Sequence, residues 1–271
     1  MTAVEKSSRC MDVVWLQLLK DVICNGTMVT PRNQKTSELL GSLIVVDMAR
    51  PVVTITERTL GYRFMCAEAA WILSGDDRVE TIAPYSRRVS QFSDDGRTFF
   101  GAYGPKIMAQ VPYVVETLKR DPDSRQAVIN IWREVPPLTK DCPCTLSCQF
   151  MIRGGMLDMF VTMRSSDVWL GVVYDVPSMS MVAAYVLLAL RDDTLKLGSL
   201  YQVAASRHLY ERDLARAQAC LDGMTVGFKY APFDSREFVK PNNLVDHLWK
   251  LARRETVVHK WLTEIPSQVP P

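Results

Sequence analysis

The stretch Arg164-Ser-Ser-Asp-Val-Trp-Leu-Gly-Val-Val-Tyr-Asp175 places phosphate-binding side chains between a β-like run and a helix-like run. The guanidinium of Arg164 supplies a planar fork of hydrogen-bond donors and Ser165 adds another, which is enough to hold a phosphate without a glycine-rich loop. A solvated arginine is the alternative interpretation of this position. The stretch therefore predicts a local anion site. The segments around it indicate the fold of the chain.

Strand-like and helix-like segments are mixed along the chain rather than segregated. The strand-like segments are Leu43–Met48, Val52–Thr56, Ala127–Trp132, Cys148–Ile152 and Leu157–Met163, and the helix-like ones are 11–24, Phe64–Leu73, Met179–Leu190 and His208–Leu221. Polar residues 76–106 predict a long connection over the surface or around a cleft, and Ile265–Pro271 an extended tail. We expect one α/β (α+β) domain over residues 1–271.

Composition limits the classes of partner. Within 271 residues the net charge is +2, so no broad positive field predicts binding to DNA, RNA or an anionic membrane. Residues 1–22 carry acidic side chains and no uninterrupted apolar run, which predicts neither a secretory signal nor a membrane span. Seven cysteines, an odd number, suit a reducing compartment. We therefore expect a cytoplasmic protein with free thiols.

The sequence Cys142-Pro143-Cys144-Thr145, followed by Ser147-Cys148-Gln149, is the strongest local signal, and by itself it is ambiguous. A zinc site needs four ligands, but no Cys-x-x-Cys pair is present and the nearest histidine is His208, so we expect no metal. Burial as small apolar side chains is the commoner fate of free cysteines. A reactive thiolate is the third interpretation.

Glu68 lies on an apolar stripe of the predicted helix Phe64–Leu73. Phe64, Glu68 and Trp71 have the spacing i, i+4 and i+7, which places them on one helix face. A carboxylate among apolar side chains is costly unless it has a function, although a glutamate at the helix surface is the alternative.

Together these motifs resemble the thymidylate synthase superfamily, over most of the chain and in the same order. The strong matches are Asp121-Pro-Asp-Ser-Arg125, Pro143-Cys144 with Gln149, Arg164-Ser-Ser-Asp167 with Leu170-Gly171, and His208-Leu-Tyr210, and the weaker ones are Pro31-Arg32, Glu68-Ala-Ala-Trp71 and Tyr103-Gly104. Such a combination is far more specific than any single motif. The resemblance implies a large mixed sheet flanked by helices and a homodimer formed sheet to sheet.

The resemblance also implies a covalent mechanism. Cys144 matches the thiolate that adds to C6 of the pyrimidine, so that C5 attacks the methylene group of 5,10-methylenetetrahydrofolate, the co-substrate. Nearby arginines would raise the thiolate fraction of this cysteine. Glu68 matches the glutamate that moves protons through ordered water. Tyr103 falls near the family's active-site tyrosine.

The remaining matches concern binding of the substrate, a pyrimidine nucleoside monophosphate, and of folate. The phosphate ligands would be Arg32, Arg164 and Ser165, with Arg125 contributed across the dimer interface, where Gln126 replaces the family's second arginine. His208 and Tyr210 match the pair that binds the sugar hydroxyl, and without the resemblance they would be an ordinary histidine at a helix start and a packed tyrosine. Gln149 is also assigned to the substrate, and Asp167, Leu170, Gly171 and Trp71 to the folate.

Three departures from the family pattern concern the base. Asp175 stands where thymidylate synthases have Asn, and its acceptor-only carboxylate suits the 4-amino group and a protonated N3 of cytosine. Thr145 and Met163 replace His and Gln, and both resemble the phage deoxycytidylate hydroxymethylases. A similar enzyme acts on CMP in mildiomycin biosynthesis. The resemblance is thus to the pyrimidine-nucleotide hydroxymethylase branch.

We expect a homodimeric enzyme that forms 5-hydroxymethyl-CMP. The residues at 145 and 163 and the ending Gln268-Val-Pro-Pro271 suggest that water reaches the intermediate and adds to it. The alternatives are dCMP as substrate, methylation instead of hydroxymethylation, a uracil nucleotide, and an RNA-binding relic of the fold that has lost catalysis.

Overall fold

The structure, a computed structural model, describes residues 9–133, 135–223 and 230–257. Its centre is a six-stranded sheet with the strand order β1-β2-β6-β5-β4-β3. The strands are β1 (Thr27–Val29), β2 (Thr36–Asp47), β3 (Val128–Asn130), β4 (Thr145–Arg153), β5 (Met156–Asp167) and β6 (Lys196–Tyr210). Only β5 and β6 pair in parallel, and the other neighbours are antiparallel. The large mixed sheet is therefore confirmed.

Seven α-helices accompany this sheet within the described residues. They are α1 (Met11–Asn25), α2 (Tyr62–Leu73), α3 (Val79–Ile82), α4 (Tyr103–Arg120), α5 (Val172–Leu190), α6 (Glu211–Asp222) and α7 (Pro241–Arg253). A parallel strand pair needs a crossover connection, and α5 supplies it between β5 and β6. This helix is long and apolar enough to cross a membrane, with a mean hydropathy of 1.6, but 72% of that window is buried inside the fold, as in a core helix.

The connection between β5 and α5 is held from two sides. The indole Nε1 of Trp15, in α1, donates to the carbonyl oxygen of Val168 at 2.9 Å. The guanidinium of Arg58 donates to the carbonyl oxygen of Trp169 and lies 4.2 Å from the centre of that residue's ring. Val168 and Trp169 are buried. The stretch from Arg164 to Asp175 therefore passes through the core at its middle, which fixes the positions of its polar ends.

The strand predicted over Val52–Thr56 is wrong. These residues form a buried, extended segment without a strand partner, and a short 3-10 turn begins at Thr56. The Asp12 carboxylate accepts both the backbone N–H and the hydroxyl of Thr54 at 2.6 Å, and the Tyr230 hydroxyl accepts the N–H of Val52 at 3.1 Å. Side chains thus satisfy backbone groups that a neighbouring strand would otherwise bind.

The helix predicted over His208–Leu221 begins too early. β6 continues to Tyr210, because Tyr210 and His208 pair with Thr36 and Glu38 of β2, and α6 begins only at Glu211. The predicted helices at 11–24 and Phe64–Leu73 are confirmed as α1 and α2, whereas that at Met179–Leu190 is longer and starts at Val172. Residues 76–106 contain the short α3 and the start of α4, and the predicted tail Ile265–Pro271 lies outside the described residues.

One face of the sheet keeps apolar side chains exposed. Leu43 of β2 and Val203 of β6 are register partners and are 56% and 40% exposed, whereas the intervening Ile44 and Gln202 are buried. On the same face, the rings of Phe160 and Tyr201 stack at 4.5 Å. An exposed apolar sheet face is typical of a surface that binds another protein chain.

Candidate active site

Two adjoining cavities at one end of the sheet contain most of the predicted site residues. The inner cavity, about 180 Å³, is lined on its polar side by Glu68, Tyr103, Asp141, Cys144, Asp175 and Ser178. The outer cavity, about 470 Å³, is lined by Pro31, Arg32, Thr36, Glu38, Trp132, Cys142, Arg164, Ser165, Ser206, His208 and Tyr210. Cys142 lines both. A larger cavity of about 670 Å³, near the start of β5 and β6, has none of the predicted residues in its lining.

The Cys144 thiol lies where the two cavities meet. Its sulfur is 3.8 Å from the Ser165 hydroxyl oxygen and 3.6 Å from Nη2 of Arg164. Arg164 is fixed by the backbone just before the cysteine, since its Nε and Nη2 donate to the carbonyl oxygens of Pro143 and Cys142 at 2.9 and 2.8 Å. The arginine predicted to bind phosphate therefore also contacts the predicted nucleophile.

The pKa of Cys144 differs from the sequence-based expectation. Burial raises the pKa of this thiol above its ordinary value, while the positive charge of Arg164 lowers it by a smaller amount and the negative charge of Asp175 raises it again. The charge of Arg164 therefore acts in the expected direction, towards the thiolate, but burial outweighs it and the pKa lies above its ordinary value. The desolvation of the sulfur is the larger effect.

Glu68 projects from α2 into the inner cavity, as its place on the helix stripe predicted. The Ser178 hydroxyl donates to its Oε2 at 3.4 Å. Burial and the charge of Asp175 raise the pKa of Glu68 to about 8. At neutral pH this carboxyl is therefore protonated in most molecules and can donate as well as accept a proton.

Asp175 occupies the first turn of α5, where its backbone N–H donates to the carbonyl oxygen of Gly171 at 2.9 Å. Burial raises the pKa of its carboxyl to about 7, and the positive charge of Arg207 opposes that shift. Asp175 and Glu68 thus form a pair of carboxyls that both titrate near neutral pH in one cavity. Such a pair is suited to hydrogen bonding and proton transfer at a substrate ring.

Tyr103, the first residue of α4, connects this cavity to the strand that follows Cys144. Its hydroxyl accepts the backbone N–H of Thr145 at 3.2 Å, and burial raises the pKa of this phenol, so it stays neutral. Thr145 and Met163 are completely buried register partners. The burial of Thr145 and Met163 does not support the expectation that these two substitutions open the reaction centre to water. The third residue range in that expectation, Gln268–Pro271, lies outside the described residues.

Aromatic side chains form the apolar wall of the inner cavity. Trp71 and Phe99 meet edge to face with ring centres 5.6 Å apart. The buried Nε1 of Trp71 has no hydrogen-bond partner in the described part of the chain. An aromatic wall with an unused donor fits a flat heterocycle such as the pterin of folate.

The other residues assigned to folate lie at the start of α5. Asp167 Oδ1 accepts the backbone N–H groups of Trp169 and Leu170 at 2.7 and 3.2 Å, and Leu170 is exposed. The carbonyl oxygen of Asp167 also accepts the N–H of Gly171 at 2.9 Å. Asp167 therefore shapes the helix start.

The outer cavity is lined by two arginines and by polar side chains suited to binding a sugar hydroxyl. Arg32 is exposed at its rim, with φ of 52°, and Arg164 and Ser165 lie on its floor. His208 and Tyr210, two residues apart on β6, contact each other edge to face at 5.2 Å. The residues predicted to bind the phosphate and the sugar are far apart in the sequence, and they thus face one cavity.

Five predicted residues lie outside both cavities: Asp167, Leu170 and Gly171 at the start of α5, and the substrate ligands Arg125 and Gln149. The amide nitrogen of Gln149 donates to the carbonyl oxygen of Arg125 at 2.8 Å, and Arg125 is exposed. A single chain does not test a contribution of Arg125 to a partner subunit. Across residues 9–133, 135–223 and 230–257, no group of three His, Cys, Asp or Glu side chains is arranged to hold a metal ion.

Sequence reasoning missed several polar residues of the site, including Thr36 and Ser206 of the outer cavity and four with a charge or a direct contact to a charged group. Ser178 and Asp141 line the inner cavity, Glu38 lines the outer one, and Arg207 is completely buried beside Ser166. Ser178 was detectable, because it lies three residues after Asp175 on the same helix face. The other three had no sequence signal, since their positions depend on strand pairing and loop packing.

Comparison with known proteins supports the resemblance. The family model described as thymidylate synthase matches residues 14–226. A deoxyuridylate hydroxymethyltransferase of Bacillus phage SP01 is 30% identical over 223 residues, which are 74% of this chain and 57% of the relative. A deoxyuridylate hydroxymethyltransferase of Pseudomonas phage M6 is 34% identical over 184 residues, 64% of this chain and 52% of the relative. The chain spans little more than half the length of these curated relatives.

Proposed function

The chain belongs to the thymidylate synthase family, and from this we propose that it transfers a one-carbon unit from 5,10-methylenetetrahydrofolate to C5 of CMP, giving 5-hydroxymethyl-CMP. One observation carries the proposal. The Cys144 thiol lies between an inner cavity with two carboxyls that titrate near neutral pH and an outer cavity with Arg164 and Ser165. A base in the first and a phosphate in the second would bring C6 of the pyrimidine to the thiol.

In this mechanism the thiol loses its proton and the sulfur forms a bond to C6, while the electron pair of the C5–C6 double bond becomes available at C5. Arg164, 3.6 Å from the sulfur, stabilises the thiolate in the moment before attack. Glu68, with a pKa of about 8, exchanges protons with the ring and with the C5 position. The folate supplies the carbon that C5 acquires. The C5 proton and tetrahydrofolate then leave, water adds to the exocyclic methylene, and the sulfur is released from C6 as the C5–C6 double bond re-forms.

Asp175 supports a cytosine base. A carboxylate presents acceptors only, so the ionised group complements the 4-amino group but not the lone pair of N3. With a pKa of about 7, Asp175 carries a proton in about half of the molecules at neutral pH. The protonated carboxyl donates its O–H to N3 of cytosine, and its carbonyl oxygen accepts from the 4-amino group.

The same reaction on deoxyuridylate is the second candidate, because both curated relatives are named for that substrate. Their names also support hydroxymethylation over methylation. A methyl product remains the alternative for the product, and dCMP the alternative for the substrate. An RNA-binding relic is the least supported reading, since Cys144 and Glu68 are both present and face one cavity, and a net charge of +2 offers no basic surface for RNA.

The proposal includes a cytoplasmic homodimer without a membrane or DNA partner. Arg125 would reach the phosphate of the neighbouring subunit, and the exposed apolar sheet face around Leu43 and Val203 would form the interface. Nucleotide modification of this kind serves nucleic acid or nucleoside antibiotic biosynthesis.

An activity assay tests the proposal. The protein is incubated with methylenetetrahydrofolate and CMP, dCMP, UMP or dUMP in water enriched in oxygen-18, and the products are identified by mass. We expect CMP to react fastest, its product to gain one labelled oxygen, and tetrahydrofolate to accumulate. A methyl product with dihydrofolate would contradict hydroxymethylation, and faster turnover of uracil nucleotides would contradict the base assignment.

A further inference from the structure

Glu38 is an acidic residue in a cavity that otherwise suits an anion. It shares the outer cavity with Arg32, Arg164 and Ser165, the predicted phosphate ligands. A carboxylate close to a phosphate repels it, so its presence weakens binding unless the carboxylate contacts another part of the ligand. None of the described residues forms an ion pair with Glu38, so it does not serve to neutralise either arginine within the described structure.

The strand register sets the direction in which Glu38 points. It is the Cα partner of His208, and Thr36 is the partner of Tyr210, so the four side chains lie on one face of the β2–β6 pair. The Ser206 hydroxyl donates to Oε1 of Glu38 and orients the carboxylate. No described residue donates to Oε2, which leaves an acceptor beside the two residues assigned to the sugar.

We propose that Glu38 accepts a hydrogen bond from the 2′-hydroxyl of the bound nucleotide and thereby selects ribonucleotides over deoxyribonucleotides. The inference rests on the proposed function, because it uses the position of the sugar beside His208 and Tyr210. A carboxylate is the side chain that proteins use elsewhere to bind a ribose 2′-hydroxyl, since its lone pairs accept from vicinal hydroxyls.

The selectivity follows from the cost of an unpaired group. When a deoxyribose enters, Glu38 loses water and gains no donor at Oε2, whereas a ribose replaces the lost water by a hydrogen bond to a charged acceptor. Discrimination by a site that binds a hydroxyl is larger than discrimination by shape alone. We expect a ribose preference of at least about tenfold.

The test compares sugars at a constant base. Binding of CMP and dCMP, and of UMP and dUMP, is measured by calorimetry on the full chain, together with kcat/KM for each nucleotide that reacts. In Glu38→Gln and Glu38→Ala the ribose preference should fall at least about tenfold, mainly through weaker binding of the ribonucleotide. Ser206→Ala, which removes only the group that orients the carboxylate, should lower the preference less. Glu211→Gln, an exposed glutamate paired with Lys35, is the matched control.

Two outcomes would overturn the inference. The first is a wild-type protein that binds ribose and deoxyribose forms equally. The second is an equal loss for both sugars in the Glu38 variants, which would assign the carboxylate to the phosphate site or to a partner subunit. Both remain measurable when turnover is absent, so an inactive protein whose ribose preference depends on Glu38 would contradict the proposed reaction and leave this inference standing. Melting curves of each variant separate loss of fold from loss of preference.

Discussion

Burial and the Arg164 charge have opposing effects on the pKa of Cys144, the proposed nucleophile. Cys144→Ser should abolish turnover, because an alcohol near its normal pKa is a far poorer nucleophile than a thiolate. Nucleotide binding and the melting temperature should stay close to those of the wild type. Product formation is measured by mass, with the exposed Cys24→Ser as the control. Activity above a few per cent in the Cys144 variant would remove this residue from the mechanism.

We propose that the number of donors and acceptors at Asp175 decides the base. Asp175→Asn should shift the preference from cytosine towards uracil nucleotides, because the amide presents one acceptor and one donor for O4 and N3–H. Mispairing a desolvated hydrogen bond costs about 1–3 kcal/mol, which corresponds to about tenfold to hundredfold in relative kcat/KM. The exposed Asp193→Asn is the control. An unchanged ratio would mean that Asp175 does not contact the base.

Glu68 should make the stability of the protein depend on pH. Its folded pKa of about 8 exceeds the ordinary value of 4.5, so between these values the folded state holds more protons than the unfolded state, and stability falls as pH rises. Glu68→Gln removes this loss. The Glu68 side chain is partly exposed, which reduces the effect of its pKa shift on stability. Between pH 5 and pH 9, the free energy of unfolding of the variant should therefore rise by about 1–3 kcal/mol relative to that of the wild type.

Thermal melting at a series of pH values measures that difference, and Glu116→Gln, on the exposed face of α4, is the control. The Glu68 variant should at the same time lose turnover, because its amide does not exchange protons. A pH-independent difference in melting temperature would show that Glu68 titrates at its ordinary pKa.

Among the elements, the extended segment that follows β2 depends on α1 for its hydrogen bonds. Thr54→Val removes the hydroxyl that donates to the half-buried carboxylate of Asp12 at 2.6 Å. We expect a loss of about 1–3 kcal/mol in the free energy of unfolding, measured by urea denaturation. Thr56→Val, whose hydroxyl contacts the exposed Glu57, should change stability by less than about 0.5 kcal/mol. Equal effects of the two variants would contradict a structural role for Asp12.

For the whole molecule, the exposed sheet face predicts association. Leu43→Arg should weaken the proposed homodimer by about 3 kcal/mol or more, about a hundredfold in dissociation constant, because it would bury an unpaired charge. Activity should fall with the dimer fraction in sedimentation experiments, since we propose that Arg125 acts across the interface. Val239→Arg, at an exposed site far along the chain, is the control. A fully active wild-type monomer would contradict this assignment.

The amino-acid sequence by itself determined the local features of the protein. The helix stripe that carries Glu68, the strand runs around Cys144 and the stretch from Arg164 to Asp175 were all detectable, because side-chain periodicity and motif spacing act over a few residues. The family resemblance then joined residues that are far apart in the chain. Most predicted site residues accordingly face the two cavities.

Only the tertiary structure decided what depends on contacts between distant segments. The pKa of Cys144 follows from how deeply the thiol is buried, and the failure of Val52–Thr56 as a strand follows from Asp12 and Tyr230, which satisfy its backbone instead. Glu38 enters the site because β2 pairs with β6 in one register, and a shift by one residue would turn it to the other face. Burial and register are properties of the packed chain, and no local pattern encodes them.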